Sequence, residues 1–422
     1  MEIGALIKMT RINKGMTQEE LAEGIASMSY LSKIENEHAT ASSEVINMLC
    51  TRLGIQLDKR NDETIDETLQ TWYGMLFEGT DKENIIALYN KLQQIIDSNY
   101  TDEVIMFEIH KVRYYIILEQ YVKAFKQINK LDVMSNRFDT LHQYYWYKFK
   151  GNYYSLGSAE FNQALRLYKM AEEKLNQLDM SEEEIADLKY TIAITHSKLR
   201  NTLESIDYAN TALDIYQRHY HFTRCAQCHI VLGISYRRIK MYDKSIKNQN
   251  LAKHLGKITQ NKAIIQLANQ NLGYLHSTKG EPREAIHYYE EVANDNDVKL
   301  IEKIAATTSL IKEYYHLEEY EKAEKMVEKS TELLEAKHQN EEHKYFYYVT
   351  YTYDFALKGD DENFEALLIE EFIPYLKKNK DYANLVIYTN LMANHFEKQG
   401  RYKEAANYYR LANINYNELV DV

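Results

Sequence analysis

The feature that most constrains this chain is a repeat of about 40 residues, which runs from near Trp72 to the C-terminus behind a short, differently patterned N-terminal segment. Five segments place an aromatic residue or a proline three positions before a small residue: Tyr121 before Ala124, Tyr242 before Ser245, Pro282 before Ala285, Tyr320 before Ala323 and Tyr402 before Ala405. Upstream of these small residues, at a constant spacing, stand Val112, Gly233, Gly273, Ile311 and Ala393. Each of those is followed within one helical turn by Tyr115, Tyr236, His276, Tyr314 or Phe396, and a second small residue recurs as Ala252 or Ala412. Two antiparallel helices that cross at short distance need a small side chain at the crossing and bulky ones beside it. The pattern therefore predicts a helix, a turn and a second helix in every repeat. Such a unit cannot bury its apolar face alone, so neighbouring units must stack into one array.

Composition agrees with that prediction. Two prolines and 14 glycines in 422 residues predict helix almost throughout, because both residues are depleted in helix interiors. The 37 tyrosines fit at helical spacing as gap-fillers that send a hydroxyl to a partner or to water. Period and pattern resemble the tetratricopeptide repeat, stretched from its usual ~34 residues. Clear copies lie at 229–252, 269–292 and 390–412, and 147–171 fits with one inserted residue. Weaker copies around 72–92, 107–131, 190–212, 307–330 and 347–368 complete the run.

Several function classes are excluded early. The N-terminus opens into a polar amphipathic segment, and no apolar run approaches the ~18 residues that would span a bilayer, which predicts a cytoplasmic protein without a membrane partner. A formal charge of −12 disfavours indiscriminate binding to nucleic acid by the chain as a whole. Cys225-Ala226-Gln227-Cys228-His229 matches a haem-attachment string, but His229 holds an aromatic position of a clear repeat, and the three cysteines suit a reducing compartment. No phosphate loop, metal motif or nucleophile–base arrangement is present. The expectation is a protein with no catalytic residue, no metal and no cofactor.

Residues 1–60 follow a different plan. Leu6, Ile7 and Ile12 give a first helix its apolar stripe, and Asn13-Lys14-Gly15 ends it. Thr17 caps a second helix with Glu20 completing a capping box, Met28 to Asn36 form a third with Leu31 and Ile34 inward, and Val45, Ile46, Leu49 and Leu53 mark a fourth. Two short helices joined by a tight turn inside an all-helical bundle make a helix-turn-helix. The strings Thr17-Gln18-Glu19-Glu20-Leu21-Ala22 and Tyr30-Leu31-Ser32-Lys33-Ile34-Glu35-Asn36 closely resemble the Cro/C1-type (XRE) DNA-binding family. That resemblance implies that Gln18 touches the phosphate backbone and that Met28, Ser29, Tyr30, Lys33 and Asn36 belong to the third helix that faces the major groove. The turn is a residue shorter than in the phage repressors and lacks their Gly. Seven Lys/Arg stand against eight Asp/Glu in this segment, so any basic face has to come from placement, with Lys8, Arg11, Lys14 and Lys33 as its candidates.

The resulting fold class is all-α: an N-terminal helix-turn-helix domain (1–60), a linker (61–71) and a right-handed tetratricopeptide superhelical solenoid of about nine helix pairs (72–422). In tetratricopeptide proteins, fixed positions of each first helix line a concave groove. Carried onto this chain, those positions hold Lys148, Asn152, Gln227, Arg237, Gln270, Asn271, Tyr274, Lys312, Asn390 and Asn394. An Asn amide presents a donor and an acceptor and so brackets a peptide backbone, while Lys148, Arg237 and Lys312 suit a carboxylate.

A Cro-type head on a tetratricopeptide body resembles the peptide-pheromone receptors of Gram-positive bacteria, the RRNPP group. The resemblance covers the whole chain. It implies a quorum-sensing transcriptional regulator, a homodimer or higher homo-oligomer, that binds an inverted-repeat operator in double-stranded DNA and is switched by a short re-imported signalling peptide. Two alternatives stay open: Rap-like binding or dephosphorylation of a phosphorelay response regulator, and a phage regulator of the AimR kind.

Overall fold

The computed structural model describes residues 3–36, 38–55, 63–79, 81–96, 104–335 and 343–420. Four helices make the head: α1 (Ile3–Asn13), α2 (Gln18–Ala22), α3 (Met28–Glu35) and α4 (Ser43–Leu53). The expected capping box is present, with Thr17 Oγ1 accepting from the Glu20 N–H and the Glu20 carboxylate accepting from the Thr17 N–H at 2.6 Å. Ser27 and Ser42 cap α3 and α4 through their hydroxyls, which accept from the Tyr30 and Val45 N–H. Ile7, Leu21, Leu31, Ile34, Leu49 and Leu53 meet in one small core. The α2–α3 turn does contain a working glycine, contrary to expectation: Gly24 sits at φ +71°, a left-handed conformation that a side chain disfavours.

Among the described residues, nine helix pairs follow. They are α5 (Glu63–Glu78) with α6 (Lys82–Ile96), α7 (Val104–Ile117) with α8 (Tyr121–Asp132), α9 (Thr140–Leu156) with α10 (Phe161–Leu175), and α11 (Glu182–Lys198) with α12 (Thr202–Arg218). Next come α13 (Phe222–Arg238) with α14 (Tyr242–Ile258), α15 (Lys262–Lys279) with α16 (Pro282–Ala293), and α17 (Leu300–His316) with α18 (Tyr320–Glu335). In the eighth pair, α19 (Lys344–Lys358) faces a broken partner made of α20 (Asp361–Ala366), a π-turn over Leu367–Phe372 and α21 (Ile373–Lys378); α22 (Tyr382–Lys398) and α23 (Tyr402–Val420) close the chain. Residues 63–71, read as linker from the sequence, are the first half of α5.

The repeat signature maps onto one geometry. Tyr121, Tyr242, Pro282, Tyr320 and Tyr402 each open the second helix of a pair, and the small residues three positions on are buried. The crossing is tight enough that a Cβ built on Gly273 would lie 2.6 Å from the Tyr289 ring, and one on Gly151 would lie 2.6 Å from Tyr168.

The turns repeat as well. The residue two positions before the next helix is left-handed at Glu119, Ala159, Arg200, Tyr220, Lys240, Gln260, Glu318 and Lys380, and at Gly280, Gly359 and Gly400. After α7, the Glu119 N–H bonds Ile116 O at 2.9 Å and the Gln120 N–H bonds Tyr115 O at 2.8 Å, the paired bonds of a Schellman cap. Closing the helix this way satisfies carbonyls that would otherwise be left without a donor.

The described chain divides into two compact units, residues 1–188 and 189–422. In the first, the head shares a core with the opening pairs: Leu6 packs with Leu69, Trp72, Leu76 and Phe107, and the Trp72 indole N–H donates to Ile85 O at 3.1 Å. In the second, the core is aromatic around Tyr348, Phe372, Tyr388 and Phe396.

Candidate functional sites

In the head, α3 presents Met28, Ser29 and Lys33 to solvent, with Met28 56% exposed. Beneath them lies a buried ion pair. Arg11 donates to both oxygens of Glu35, at 2.6 and 3.0 Å, and Glu35 is fully buried. Gln18 joins this network, its amide donating to Glu35 at 2.7 Å. The side chain expected to touch phosphate is half-buried and ties the start of α2 to the end of α3. Tyr30 is half-buried and donates to Thr40 O at 3.3 Å; Asn36 accepts from Lys8 at 3.3 Å and donates to Ser32 at 3.4 Å. Arg11, a candidate for the basic face, serves the core instead.

The groove candidates fall into both units. Lys148 (α9) is buried and bridges Glu184 at 2.5 Å and Asp187 at 2.9 Å. Burial opposes its charge, but the two carboxylates outweigh that and raise its pKa. The cation expected to suit a ligand carboxylate stands in an internal ion triad, with two carboxylates of the chain already facing it. Asn152 accepts from the Tyr168 hydroxyl at 2.8 Å. Both residues line a cavity of about 260 Å³ with Tyr73, Phe77, His110 and Tyr145.

The second unit holds the rest. The Arg237 guanidinium (α13) lies over the Tyr274 ring (α15) at 4.2 Å. Arg237 Nε, Asn271 Nδ2 and Gln270 Oε1 are buried without hydrogen-bond partners. Gln270 and Asn271 are adjacent on α15 within one turn of Tyr274, so two of the unmet groups share one short stretch of α15 and the third lies on α13. Lys312 (α17) is half-buried; burial lowers its pKa and the neighbouring Glu313 opposes that shift. Glu313 in turn accepts from Ser277 at 2.5 Å. Gln227 accepts from Arg224 at 3.4 Å, Asn394 accepts from the Tyr409 hydroxyl at 2.6 Å, and Asn390 lies one turn before Asn394 on α22. The sequence reading missed a polar extension of this face, in which Tyr345 donates to Asn384 at 3.0 Å and Asn384 donates to Asp381 at 2.7 Å. Its residues lie 39 and 3 positions apart, and only the shorter spacing is a local signal.

A helix-turn-helix reader joined to tetratricopeptide pairs with a polar, partly unsatisfied inner face defines a class of transcriptional regulators. The helix-turn-helix family profile matches residues 7–59, and a tetratricopeptide repeat profile matches 267–294. Over 399 residues the chain is 34% identical to the transcriptional activator NprA of Geobacillus stearothermophilus, covering 93% of this chain and 98% of that one. The chain belongs to the RRNPP-type family of helix-turn-helix–tetratricopeptide transcriptional regulators. The regulatory protein RapD of Bacillus subtilis is 21% identical over 359 residues, covering 83% and 97% of the two chains. The fold matches the apo form of the quorum sensor NprR from B. thuringiensis with a TM-score of 0.71 at 19% identity, covering 84% of this chain and 99% of that one. A Rap protein complexed with Competence and Sporulation Factor matches at 0.70 and 20%, covering 85% and 99%. Among the described residues, no helix is long and apolar enough to cross a membrane.

Proposed function

We propose that this protein is a cytoplasmic quorum-sensing regulator that reads an inverted-repeat operator through α3 of paired heads and is switched by a short signalling peptide held on the inner face of its helix pairs. Residues 1–60 act as the DNA reader and the pairs as the peptide-binding and oligomerisation body. The protein acts by binding and carries out no chemistry of its own. The observation that carries the reading is the cluster of unmet polar groups on Arg237, Asn271 and Gln270. A buried donor or acceptor without a partner is costly, and an extended peptide backbone supplies both kinds of partner. Met28, Ser29 and Lys33 are the exposed residues of α3 through which base edges would be read, while Gln18 acts as a brace. The similarity of the known NprR–NprX complex, with a TM-score of 0.61 and 20% identity, shows a shared fold and supports the reading no further than that.

The test is calorimetric titration of the full-length protein with peptides encoded by the small reading frame immediately downstream of its gene, followed by sedimentation with and without the best binder. Tight binding of one peptide with a change in oligomeric state supports the proposal; absence of binding sinks it. Lys33→Ala is expected to weaken operator binding and leave peptide affinity unchanged.

A second reading rests on the response regulator aspartate phosphatase I of Bacillus subtilis, to which the chain is 20% identical over 393 residues. On that reading the peptide-free body binds a response regulator. Co-sedimentation with a phosphorylated response regulator, and the lifetime of its phosphoryl group, test this; no complex and an unchanged lifetime would exclude it.

A further inference from the structure

Three guanidiniums in the second unit stand together without an acid. Arg237 ends α13 beside Arg238, and Arg200 occupies the left-handed turn position between α11 and α12. Arg238 donates to Ser197 O and, at 3.3 Å, to Ser197 Oγ, which ties it to the last turn of α11. Among the described residues, no carboxylate lies in ion-pair range of any of the three. The ionisable groups that face Arg237 are Tyr274, Tyr289 and Arg200, and those that face Arg238 are Arg200, Arg237 and Tyr274. Burial, and then repulsion from Arg200 and Arg237, push Arg238 down to about 10.

Two buried or half-buried lysines of this acidic chain show the contrast: Lys148 has two carboxylates, and Lys253 has Glu291 at 2.8 Å. A half-buried charge without a counter-ion costs stability, so a cluster left uncompensated in a chain of net charge −12 points to a role other than holding the resting fold. Two of the three unmet atoms agree in sign, and the third, Gln270 Oε1, is an acceptor that calls for a backbone N–H. Arg237 Nε and Asn271 Nδ2 are both donors, and both call for an acceptor.

We propose that Arg200, Arg237 and Arg238, with Asn271, form an anion subsite that takes a carboxylate of the ligand and so sets the direction in which it lies. The inference rests on the peptide reading above and deepens it. The Arg237 guanidinium lies over the Tyr274 ring at 4.2 Å, which fixes its place, and its terminal nitrogens would meet the carboxylate while the amides of α15 bracket the adjoining backbone. The carboxylate comes either from the peptide's C-terminus or from an Asp or Glu side chain, and Lys148, already neutralised, takes no part.

The test uses full-length protein and four randomised heptapeptide mixtures, free-acid or amidated at the C-terminus, each with or without Asp and Glu. Retained peptides are identified by mass and titrated singly. Retained peptides are expected to carry a carboxylate, and capping it should weaken binding about tenfold or more. Loss on amidation alone assigns the C-terminus, and loss on replacing Asp or Glu alone assigns the side chain. In Arg237→Gln the preference should shrink to within about twofold. Equal binding after every carboxylate is capped, or an undiminished preference in Arg237→Gln, overturns the subsite. If Arg237→Gln loses its helix content, Arg237→Lys replaces it: the charge is kept but the planar fork is lost, so weakened binding supports the subsite and unchanged affinity overturns it. If no mixture yields a binder, the peptide reading falls and citrate decides the subsite. Citrate raising the melting temperature of the parent but not of the Arg237 variant keeps it, and no rise in the parent overturns it.

Discussion

Lys148 and His110 show how side chains at one cavity acquire opposite behaviour from their partners. Lys148 is charged because Glu184 and Asp187 face it, so Lys148→Met leaves two carboxylates buried beside each other. That variant should be destabilised by about 3–5 kcal/mol in urea unfolding, with peptide affinity unchanged for as long as it folds. His110 has no acid. Burial, followed by the charges of Lys148 and His142, holds it down to about 3, against a hydrogen bond from its Nδ1 to Met106 O at 2.9 Å. The unfolded chain takes up this proton near its ordinary pKa of about 6.5, and the folded chain only near pH 3, so stability is lost as pH falls between the two. Between pH 7 and pH 5 the parent should lose about 2 kcal/mol more than His110→Phe, which keeps the stack on Tyr73 but cannot titrate; equal losses in the two proteins would refute the assignment. Neither site was legible in the sequence. Lys148 and Glu184 are 36 residues apart, and Arg11 and Glu35 are 24 apart, whereas the Thr17–Glu20 box was readable because its bonds span three residues.

Helices and turns were legible where they repeat. The aromatic or proline that marks each unit opens its second helix, and the crossing glycines Gly151, Gly233 and Gly273 lie directly against a side chain of that helix. Gly273→Ala should cost about 1–3 kcal/mol, because its Cβ would meet the buried Tyr289 ring at 2.6 and 2.7 Å and the ring has nowhere to go. Gly74→Ala is the control. Nothing lies within 4 Å of its Cβ, and a helical Gly→Ala change in open space should stabilise by up to about 1 kcal/mol. The turns carry a different cost. Ala159 is exposed at φ +54°, so Ala159→Gly should raise stability by roughly 0.5–1 kcal/mol despite the freer unfolded chain; a loss would mean that the left-handed turn is not strained there. What escaped the sequence reading at this scale broke the period: α5 across residues taken as linker, and the π-turn that splits the partner of α19, next to Pro374. An irregular element has no second copy in the chain against which to recognise it.

For the whole molecule, the question is how a ligand on the helix pairs changes what the head does, and thermodynamics constrains the answer without reference to a pathway. If the peptide changes operator affinity by some factor, the operator must change peptide affinity by the same factor. A peptide that bound every arrangement of the heads equally would alter nothing, however tightly it bound. Peptide affinity should therefore be measured twice by titration, once with free protein and once with protein saturated with operator, and the ratio compared with the peptide-induced shift in operator affinity from mobility assays at the same salt. Salt has to be matched because phosphate contacts make DNA affinity fall steeply with ionic strength, and a chain of net charge −12 is sensitive to that term. Typical couplings are about 5–150-fold, within reach of both methods. Equal factors place the switch in a single equilibrium shared by head and body. A peptide that shifts operator binding while the operator leaves peptide affinity unchanged breaks the cycle, and the regulation would then have to run through a step outside it, such as a third partner competing for the body.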